Sequence, residues 1–232
     1  MTSMHKILMV GLIAFFSFGL KAQETKTYEL LDFNRLIVQG RYNVQIQFGE
    51  ERSLKAVDRD PEISIDALSM TYAGKTLTVK IKGSLIADLG IDLVITLPEI
   101  NYVEAKHGCE ITFVEDFAFD RKPLHLHADT GGKIHALNLN APWIKADAEK
   151  GAYVLVKGKT VLFEASVVAG GTIEAKELEA NKVTAEISFG GEITCHALEN
   201  LDATVTSGGT IYYRGDPAIS QHIQIAGNIK SL

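Results

Sequence analysis

The chain has 232 residues, of which 46% are hydrophobic and 22% charged, so it can bury a core and is not intrinsically disordered. Its formal net charge of −6 argues against nucleic acid as a partner and against an anionic membrane surface, because both require a basic face. On average this charge also repels anionic polysaccharides, unless a local basic patch overrides the mean.

The first 22 residues have the pattern of a secretory signal peptide. His5 and Lys6 form a short basic region, residues 7–20 are apolar and uncharged, and a cleavage site precedes Gln23. The apolar run is shorter than the roughly 20 residues that a membrane-spanning helix needs. We therefore predict an exported protein, in the periplasm, at the outer membrane or outside the cell, with no transmembrane segment in the mature chain.

Residues 28–100 contain several short segments in which apolar and polar residues alternate, as in half-buried strands. The turns between them fall near Gly40, Gly74 and Pro98. The segment 58–69 predicts a short helix or an irregular excursion, and its acidic start is a solvated turn rather than a calcium site. We expect this half either to continue the repeat described next or to cap it.

Glycine corners recur through residues 101–232, and each is followed by a β-branched residue. These residues lie 18 to 23 positions apart, at Ile111, Ile134, Val154, Ile173, Ile193, Ile211 and Ile229. An alanine precedes four successive corner glycines by five residues, at Ala146, Ala165, Ala185 and Ala203. A period this stable indicates a stacked repeat.

Between corners the residues alternate in a two-residue beat, which predicts two or three short strands in each repeat. An antiparallel sandwich also has short strands, but it gives no reason for successive repeats to resemble one another. The pattern therefore favours an all-β, right-handed parallel β-helix with coils of about 20 residues, in which like side chains stack roughly 4.8 Å apart. We predict one β-solenoid domain over 23–232, with less regular coils or a cap in 28–100 and regular repeats in 101–232.

The two cysteines, Cys109 and Cys195, fall four coils apart in this arrangement. That separation is roughly 19 Å, too far for a disulfide. We expect both to be small, buried or half-buried apolar residues.

The segment "LHLHAD" at 124–129 gives the candidate ligands for a transition metal. It places His125, His127 and Asp129 on one face of a strand, and a His-x-His pair can chelate a transition metal, with His135 as a further ligand if the chain folds back suitably. The alternative is a polar outer face without a ligand. Metal sites usually bring a more convergent set, so we expect no metal and no cofactor.

Polysaccharide-active enzymes often use this type of fold and need paired carboxylates, or a carboxylate with Arg or Lys, in one groove. Several glutamates face outward in the predicted strands, namely Glu174, Glu186, Glu192 and Glu199. Residues 122–213 contain no arginine, however, and no nucleophile elbow or phosphate loop appears. We therefore expect no enzymatic activity.

Exposed aromatic rings are the remaining lead, because surfaces that bind sugars use them. Trp143, the only tryptophan, follows a predicted bend. Tyr212 and Tyr213 are adjacent on a strand, so one of them must face outward. The alternative is that outward rings fill an oligomer contact. These three residues are the candidate binding residues.

Three segments taken together resemble a known family. They are the lead-in "F-x-x-L-I-V-x-G-x-Y-x-V-x-I-x-F-G" from Phe33 to Gly49, the strand "ITLPEI", and the close "GGTIYYRGDPAI" at 208–219. With the glycine corners, these segments are similar to the putative auto-transporter adhesin, head GIN domain family of exported bacterial proteins. Its corners often have the sequence Gly-Ser-Gly, where this chain has Gly-Gly, Gly-Ala and Gly-Cys. The resemblance implies a β-helical fold, export to the envelope and a role as an adhesin head, and it brings no catalytic motif.

The sequence thus predicts an exported, non-catalytic cell-envelope adhesin or binding module, with a glycan or a protein of the envelope or host surface as partner. A self-associating structural envelope protein, which would be a homo-oligomer, is the alternative. A polysaccharide-active enzyme is the third hypothesis.

Overall fold

The computed structural model describes residues 24–59, 65–81, 88–114 and 122–232. These residues form fifteen strands and one 3-10 turn, Ile65–Ala67. The strands before residue 115 are β1 Thr25–Glu29, β2 Arg35–Gln39, β3 Arg41–Phe48, β4 Ser53–Asp58, β5 Leu68–Ala73, β6 Thr76–Ile81, β7 Asp88–Leu97, β8 Tyr102–Lys106 and β9 Glu110–Phe113. The later strands are β10 Leu124–Asp129, β11 Lys133–Glu149, β12 Tyr153–Val168, β13 Thr172–Phe189, β14 Glu192–Arg214 and β15 Ala218–Ser231.

The strands form the parallel β-solenoid that the repeat predicts, with coils of about 20 residues. Two series of parallel strands meet in β11. Its first part pairs with β9, β9 pairs with β3, and β3 pairs with β7. Its last part pairs with β10, β10 pairs with β8, β8 pairs with β2, and β2 pairs with β6. From β11 onward each strand pairs in parallel with the next, up to β15.

Like side chains stack in register inside the coils. One ladder runs through Val44, Ile111, Ile134, Val154, Ile173 and Ile193. Another runs through Leu126, Ala146, Ala165, Ala185 and Ala203. All of these residues are buried, so each isoleucine contributes about 1.5–3 kcal/mol of transfer free energy to folding. Both predicted ladders are confirmed over these residues, and further along the chain Ile211 is in register with Ile229.

The strands are longer than the sequence predicts. Instead of two or three short strands in each coil, β11 to β15 are continuous strands of 14 to 23 residues with register shifts at the bends, and β14 runs on through the corner at Gly208 and Gly209. The reason is the stacking itself. Where neighbouring coils bend at the same place, their backbones stay within hydrogen-bonding distance through most of the bend.

Two residues with positive φ form most corners before residue 172. At the corner after β10, Thr130 has φ 50° and Gly131 has φ 71°, and the Gly132 N–H donates to the Asp129 carbonyl at 3.0 Å. This is a type I′ turn. The next residue, Gly132, is needed for another reason, because a Cβ there would lie 2.1 Å from the Ala105 carbonyl oxygen of the neighbouring coil. Non-glycine residues with positive φ stand before the glycine at other corners, namely His107, Lys150 and Ala169.

The N-terminal half both continues the stack and caps it. Strands β2, β3, β6 and β7 pair in parallel with the coils. Strand β4 pairs antiparallel with β7, β1 pairs antiparallel with β4, and β5 pairs antiparallel with β6. The segment 58–69 supplies the end of β4, the 3-10 turn and the start of β5, and its residues 60–64 lie outside the described residues.

At the other described end, β15 is paired on one side with β14. The inward ladder positions of this coil are therefore not covered within the described part of the chain. Among its large apolar side chains, Ile219 is 38% exposed, Ile223 is 45% exposed and Ile225 is 76% exposed.

Cys109 and Cys195 are free and buried, as expected. Burial raises the pKa of Cys195 to about 12, so its thiol is unreactive at neutral pH. The predicted signal peptide, residues 1–22, lies outside the described residues. Of the residues that the structure describes, none belongs to a helix that is both long and apolar enough to span a membrane.

Candidate functional site

Register stacking lines up outward side chains from successive coils into columns along the solenoid. One column joins Arg35 on β2, Tyr102 on β8, His125 on β10 and Lys145 on β11, each paired with the next. We call this the Tyr102 column. It brings together residues that are up to 110 positions apart in the chain.

The Tyr102 ring holds the upper part of this column in place. The Arg35 guanidinium carbon lies 3.7 Å from the ring centroid, which is a close cation–π contact. The His125 ring meets the other side of Tyr102 edge-on, with the centroids 4.9 Å apart. The Tyr102 hydroxyl donates to Glu104 Oε2 at 3.0 Å. Burial, and then the charge of Glu104, raise the pKa of Tyr102, so the hydroxyl remains a donor.

Asp147 joins the lower part of the column. His125 Nε2 lies 2.5 Å from Asp147 Oδ2, and Lys145 Nζ lies 3.4 Å from the same oxygen. Burial acts to raise the pKa of Asp147. The hydrogen bond and charge of His125, and then the charge of Lys145, outweigh it and hold that pKa below its ordinary value. Asp147 is therefore an anion that fixes the His125 ring.

His127 and Asp129 are also held by protein partners. The two histidine rings are stacked in parallel, with centroids 6.2 Å apart. His127 Nδ1 lies 3.3 Å from the Tyr102 hydroxyl, and Nε2 lies 3.6 Å from Glu149 Oε1. Asp129 accepts a hydrogen bond from Lys150 Nζ at 2.9 Å. The three candidate metal ligands lie on one outward face, as predicted, but each faces a different partner.

His135 does not join this group. It follows the corner at Gly131, on the part of β11 that pairs with β9, and its ring contacts Tyr153 edge-on with a centroid distance of 5.7 Å. Within residues 24–59, 65–81, 88–114 and 122–232, no three His, Cys, Asp or Glu side chains are arranged to hold a metal ion. The absence of a bound metal therefore stays a prediction from the sequence.

Trp143 borders a surface pocket beside the Tyr102 column. The indole is 40% exposed and lies on β11, two residues before Lys145. The pocket has a volume of about 230 Å³. Its lining consists of Arg35, Asn101, Tyr102, Pro123, Leu124, His125, Trp143 and Lys145. An apolar ring face next to a few polar groups is the usual composition of a small-ligand site.

Tyr212 and Tyr213 lie elsewhere. They are half-buried residues of β14, in register with Lys230 and Ser231 of β15, whereas Trp143 is in register with Leu162 of β12. Tyr213 also packs against the core. The structure therefore does not bring the three candidate binding residues together, and Trp143 alone borders the pocket.

Sequence reasoning missed Arg35, Tyr102 and Lys145. The absence of arginine from residues 122–213 is real, but β2 supplies Arg35 from the irregular half of the chain. No local signal marks this pairing, because β2 pairs with β8 across five intervening strands.

The outward glutamates do not form a catalytic pair with their register neighbours. Glu174 is in register with Leu155 and Thr194, and Glu186 with Ser166 and Thr204. General acid–base cleavage of a glycoside needs two carboxyl groups across one bond. Two carboxylates do share one surface pocket, since Glu164 and Glu186 line it together with Lys145.

The chain matches a family model described as "Putative auto-transporter adhesin, head GIN domain" over residues 32–217. No curated protein matches it.

Several crystal structures share the fold. A putative adhesin from Bacteroides fragilis NCTC 9343 has a TM-score of 0.81 and 23% identity, and the match covers 91% of this chain and 98% of that one. A putative adhesin from Parabacteroides merdae ATCC 43184 has a TM-score of 0.69 and 17% identity, with 92% and 98% covered. A putative lipid binding protein from Parabacteroides distasonis ATCC 8503 has a TM-score of 0.68 and 18% identity, with 92% and 98% covered. At these identities the likeness concerns the fold alone.

Proposed function

Because the chain belongs to the putative auto-transporter adhesin, head GIN domain family, we propose that it is an exported, non-catalytic adhesin that binds a saccharide of a cell envelope or host surface in the Trp143 pocket. The observation that carries this proposal is the exposed Trp143 ring beside polar groups that stacking holds in fixed positions.

The pocket suits a sugar for two physical reasons. Sugar rings present C–H faces that pack on an indole, and their hydroxyls need fixed donors and acceptors at the edge of that contact. Here His125 lies on β10, and Asn101 directly precedes β8 and is held by backbone hydrogen bonds to Asn34 and His125, so little ordering is needed on binding. The described lining of the pocket contains no carboxylate, whereas cleavage of a glycoside needs two.

The test is retention of the exported chain, residues 23–232, on an array of envelope and host glycans. We expect binding to at least one glycan and a loss of about tenfold or more in affinity in Trp143→Ala, since a stacked ring contact contributes about 1–3 kcal/mol. The matched control is Phe189→Ala, which removes a 67% exposed ring far from the pocket and should leave binding unchanged.

Two results would contradict the proposal. The first is no retention on any glycan by a chain that circular dichroism shows to be folded. The second is equal loss of binding in both variants, which would point to a general effect of exposed rings.

A second candidate function is self-association through β15, so that two copies pack end to end. The observation that favours it is the row of exposed isoleucines at 219, 223 and 225 on a strand with one free edge, where Lys230 is the only charged residue other than histidine. Natural edge strands usually carry charges against such pairing. A twofold axis would place the same isoleucines against one another.

Light scattering coupled to size exclusion tests this candidate. We expect a dimer whose dissociation constant rises at least tenfold in Ile223→Lys, because the lysine would be buried opposite its own copy. A strict monomer at high concentration would exclude self-association through this strand.

A further inference from the structure

The lining of the Trp143 pocket is positively charged, although the net charge of the chain is negative. Two cations, Arg35 and Lys145, line the pocket, and its described lining contains no acid. Other pockets on the same solenoid differ. One of about 280 Å³ sets Glu164 and Glu186 beside Lys145, and one of about 430 Å³ sets Asp202 beside Lys182. In a chain of net charge −6, the Trp143 pocket is thus a local cationic site.

The Arg35 guanidinium is available to a ligand. Its carbon lies 3.7 Å from the Tyr102 ring centroid, so the ring limits the positions that the side chain can take, and Arg35 is exposed to solvent. None of the ion pairs among the described residues involves Arg35. A guanidinium fixed in this way presents two parallel N–H donors, the geometry that a carboxylate or sulfate group accepts best.

Lys145 also retains donors for a ligand. Asp147 takes its closest hydrogen bond from His125, at 2.5 Å, and lies 3.4 Å from Lys145 Nζ. An ammonium group has three N–H donors, so one distant contact with Asp147 leaves two, which the Trp143 pocket shares with Glu164, the residue in register with Lys145 on β12. The hydrogen bond with His125 also occupies the Asp147 oxygen that lies nearest Lys145.

We propose that the pocket recognises an anionic saccharide, with a sugar ring packed on Trp143 and its carboxylate or sulfate group bound by Arg35 and Lys145. This inference rests on the proposed function, since it names the class of saccharide that the same pocket takes. It also provides the local basic patch that overrides the repulsion expected from the mean charge.

The experiment compares three probes by isothermal titration calorimetry in about 50 mM NaCl, where screening is moderate. They are an oligogalacturonate, its fully methyl-esterified form, which has the same rings without charge, and a sulfated galactan oligosaccharide. We expect the acid to bind at least about tenfold more tightly than the ester, since hydrogen bonds to charged groups exceed neutral ones by about this factor. Raising the salt concentration should weaken binding of the oligogalacturonate and leave binding of the methyl ester unchanged.

Variants assign the effect to the pocket. In the double variant Arg35→Gln/Lys145→Gln the acid should bind only as well as the ester, while Trp143→Ala should weaken both. The matched control is Lys182→Gln, which removes a lysine from the pocket that contains Asp202 and should change neither probe.

The outcomes separate this inference from the proposed function. Equal affinities for acid and ester, both lost in Trp143→Ala, would overturn the anionic preference and leave a saccharide site. A preference for the acid that survives Arg35→Gln/Lys145→Gln would also overturn it, because the anion would then bind elsewhere. Binding of none of these probes together with no retention on the glycan array would overturn both. Tighter binding of the sulfated probe than of the carboxylated one would support the proposal and identify sulfate as the anion.

Discussion

At one end of the stack, antiparallel strands β1, β4 and β5 cover the outermost parallel strands, whereas at the other described end β15 presents its backbone edge and three isoleucines to solvent. Large aliphatic side chains differ in burial between the two ends: Leu54 in the cap is fully buried, and Ile223 on β15 is 45% exposed. The burial of an inward side chain therefore depends on the position of its coil in the stack, because the side chain is buried only where a further strand covers it. The same comparison also explains why residues 28–100 do not repeat, because a cap must differ from the coils that it ends.

The largest difference in stability between the coils and the cap should come from replacing one glycine in each, Gly132 and Gly74. Gly132→Ala would put a Cβ 2.1 Å from the backbone of the next coil, so we expect a loss of about 3 kcal/mol or more in the free energy of unfolding. Gly74→Ala, at the hairpin turn of the cap, meets open space and suffers only its φ of +58°, which costs about 1–2 kcal/mol. Urea denaturation of both variants measures the difference. Equal losses would mean that contact between coils does not explain the second glycine of a corner.

The second test truncates one buried aliphatic side chain at the capped end and one exposed aliphatic side chain at the open end. Leu54→Ala should lower the free energy of unfolding by about 2–5 kcal/mol, because it leaves a cavity between the cap and the first coils. Ile223→Ala should cost less than about 1 kcal/mol, because its side chain is half in water already. The measurement must be made below the dimer dissociation constant. A large loss in Ile223→Ala for the monomer would show that the open end is covered in solution.

The third test concerns the ion pairs of the outer face. Asp147→Asn should cost about 1–2 kcal/mol at neutral pH, whereas Asp202→Asn, at an exposed position on β14, should cost less than about 0.5 kcal/mol. Since the folded-state pKa of Asp147 is lowered, its contribution is fully present above the ordinary value of 3.8 and is lost as the pH falls through the folded value. Acid unfolding should thus be steeper in the native chain than in Asp147→Asn. Parallel acid curves would contradict the partnership with His125.

The smallest effects should come from exposed pairs, and here the two ends should not differ. Lys159 on the coils and Lys26 in the cap each pair with an exposed carboxylate, Glu179 at 3.1 Å and Asp66 at 2.7 Å. Lys159→Ala and Lys26→Ala should each leave the melting temperature unchanged within error, since solvent and salt screen both pairs. Thermal melts at low and high salt check this. A clear loss of stability in either variant would show that outer charges help to set the stacking.

The regular half could be predicted from the sequence because its signals are local and repeated. The corners at Gly131, Gly170 and Gly190 and the alanine ladder each recur with one period, and a period forces like residues into register. The His125 and His127 side chains faced outward, as the two-residue alternation predicts.

The cap and the pocket could not be predicted because they depend on pairings without a period. Nothing in the order of residues 28–100 indicates that β2 leaves β3 and pairs with β8 and β6. Without that pairing, Arg35 and Trp143 are unrelated residues 108 positions apart. The sequence could predict Trp143 as a candidate binding residue, but it could not predict that Arg35 and Lys145 lie beside it.

The strands of the solenoid run across its long axis, so the hydrogen bonds between coils lie along that axis. Tension applied between the two ends therefore loads the bonds of the outermost coil first and peels coils away one by one. Each released coil of about 20 residues lengthens the molecule by roughly 60 Å, at about 3.4 Å per extended residue. A tether built in this way yields in steps under a pull and keeps its remaining coils intact.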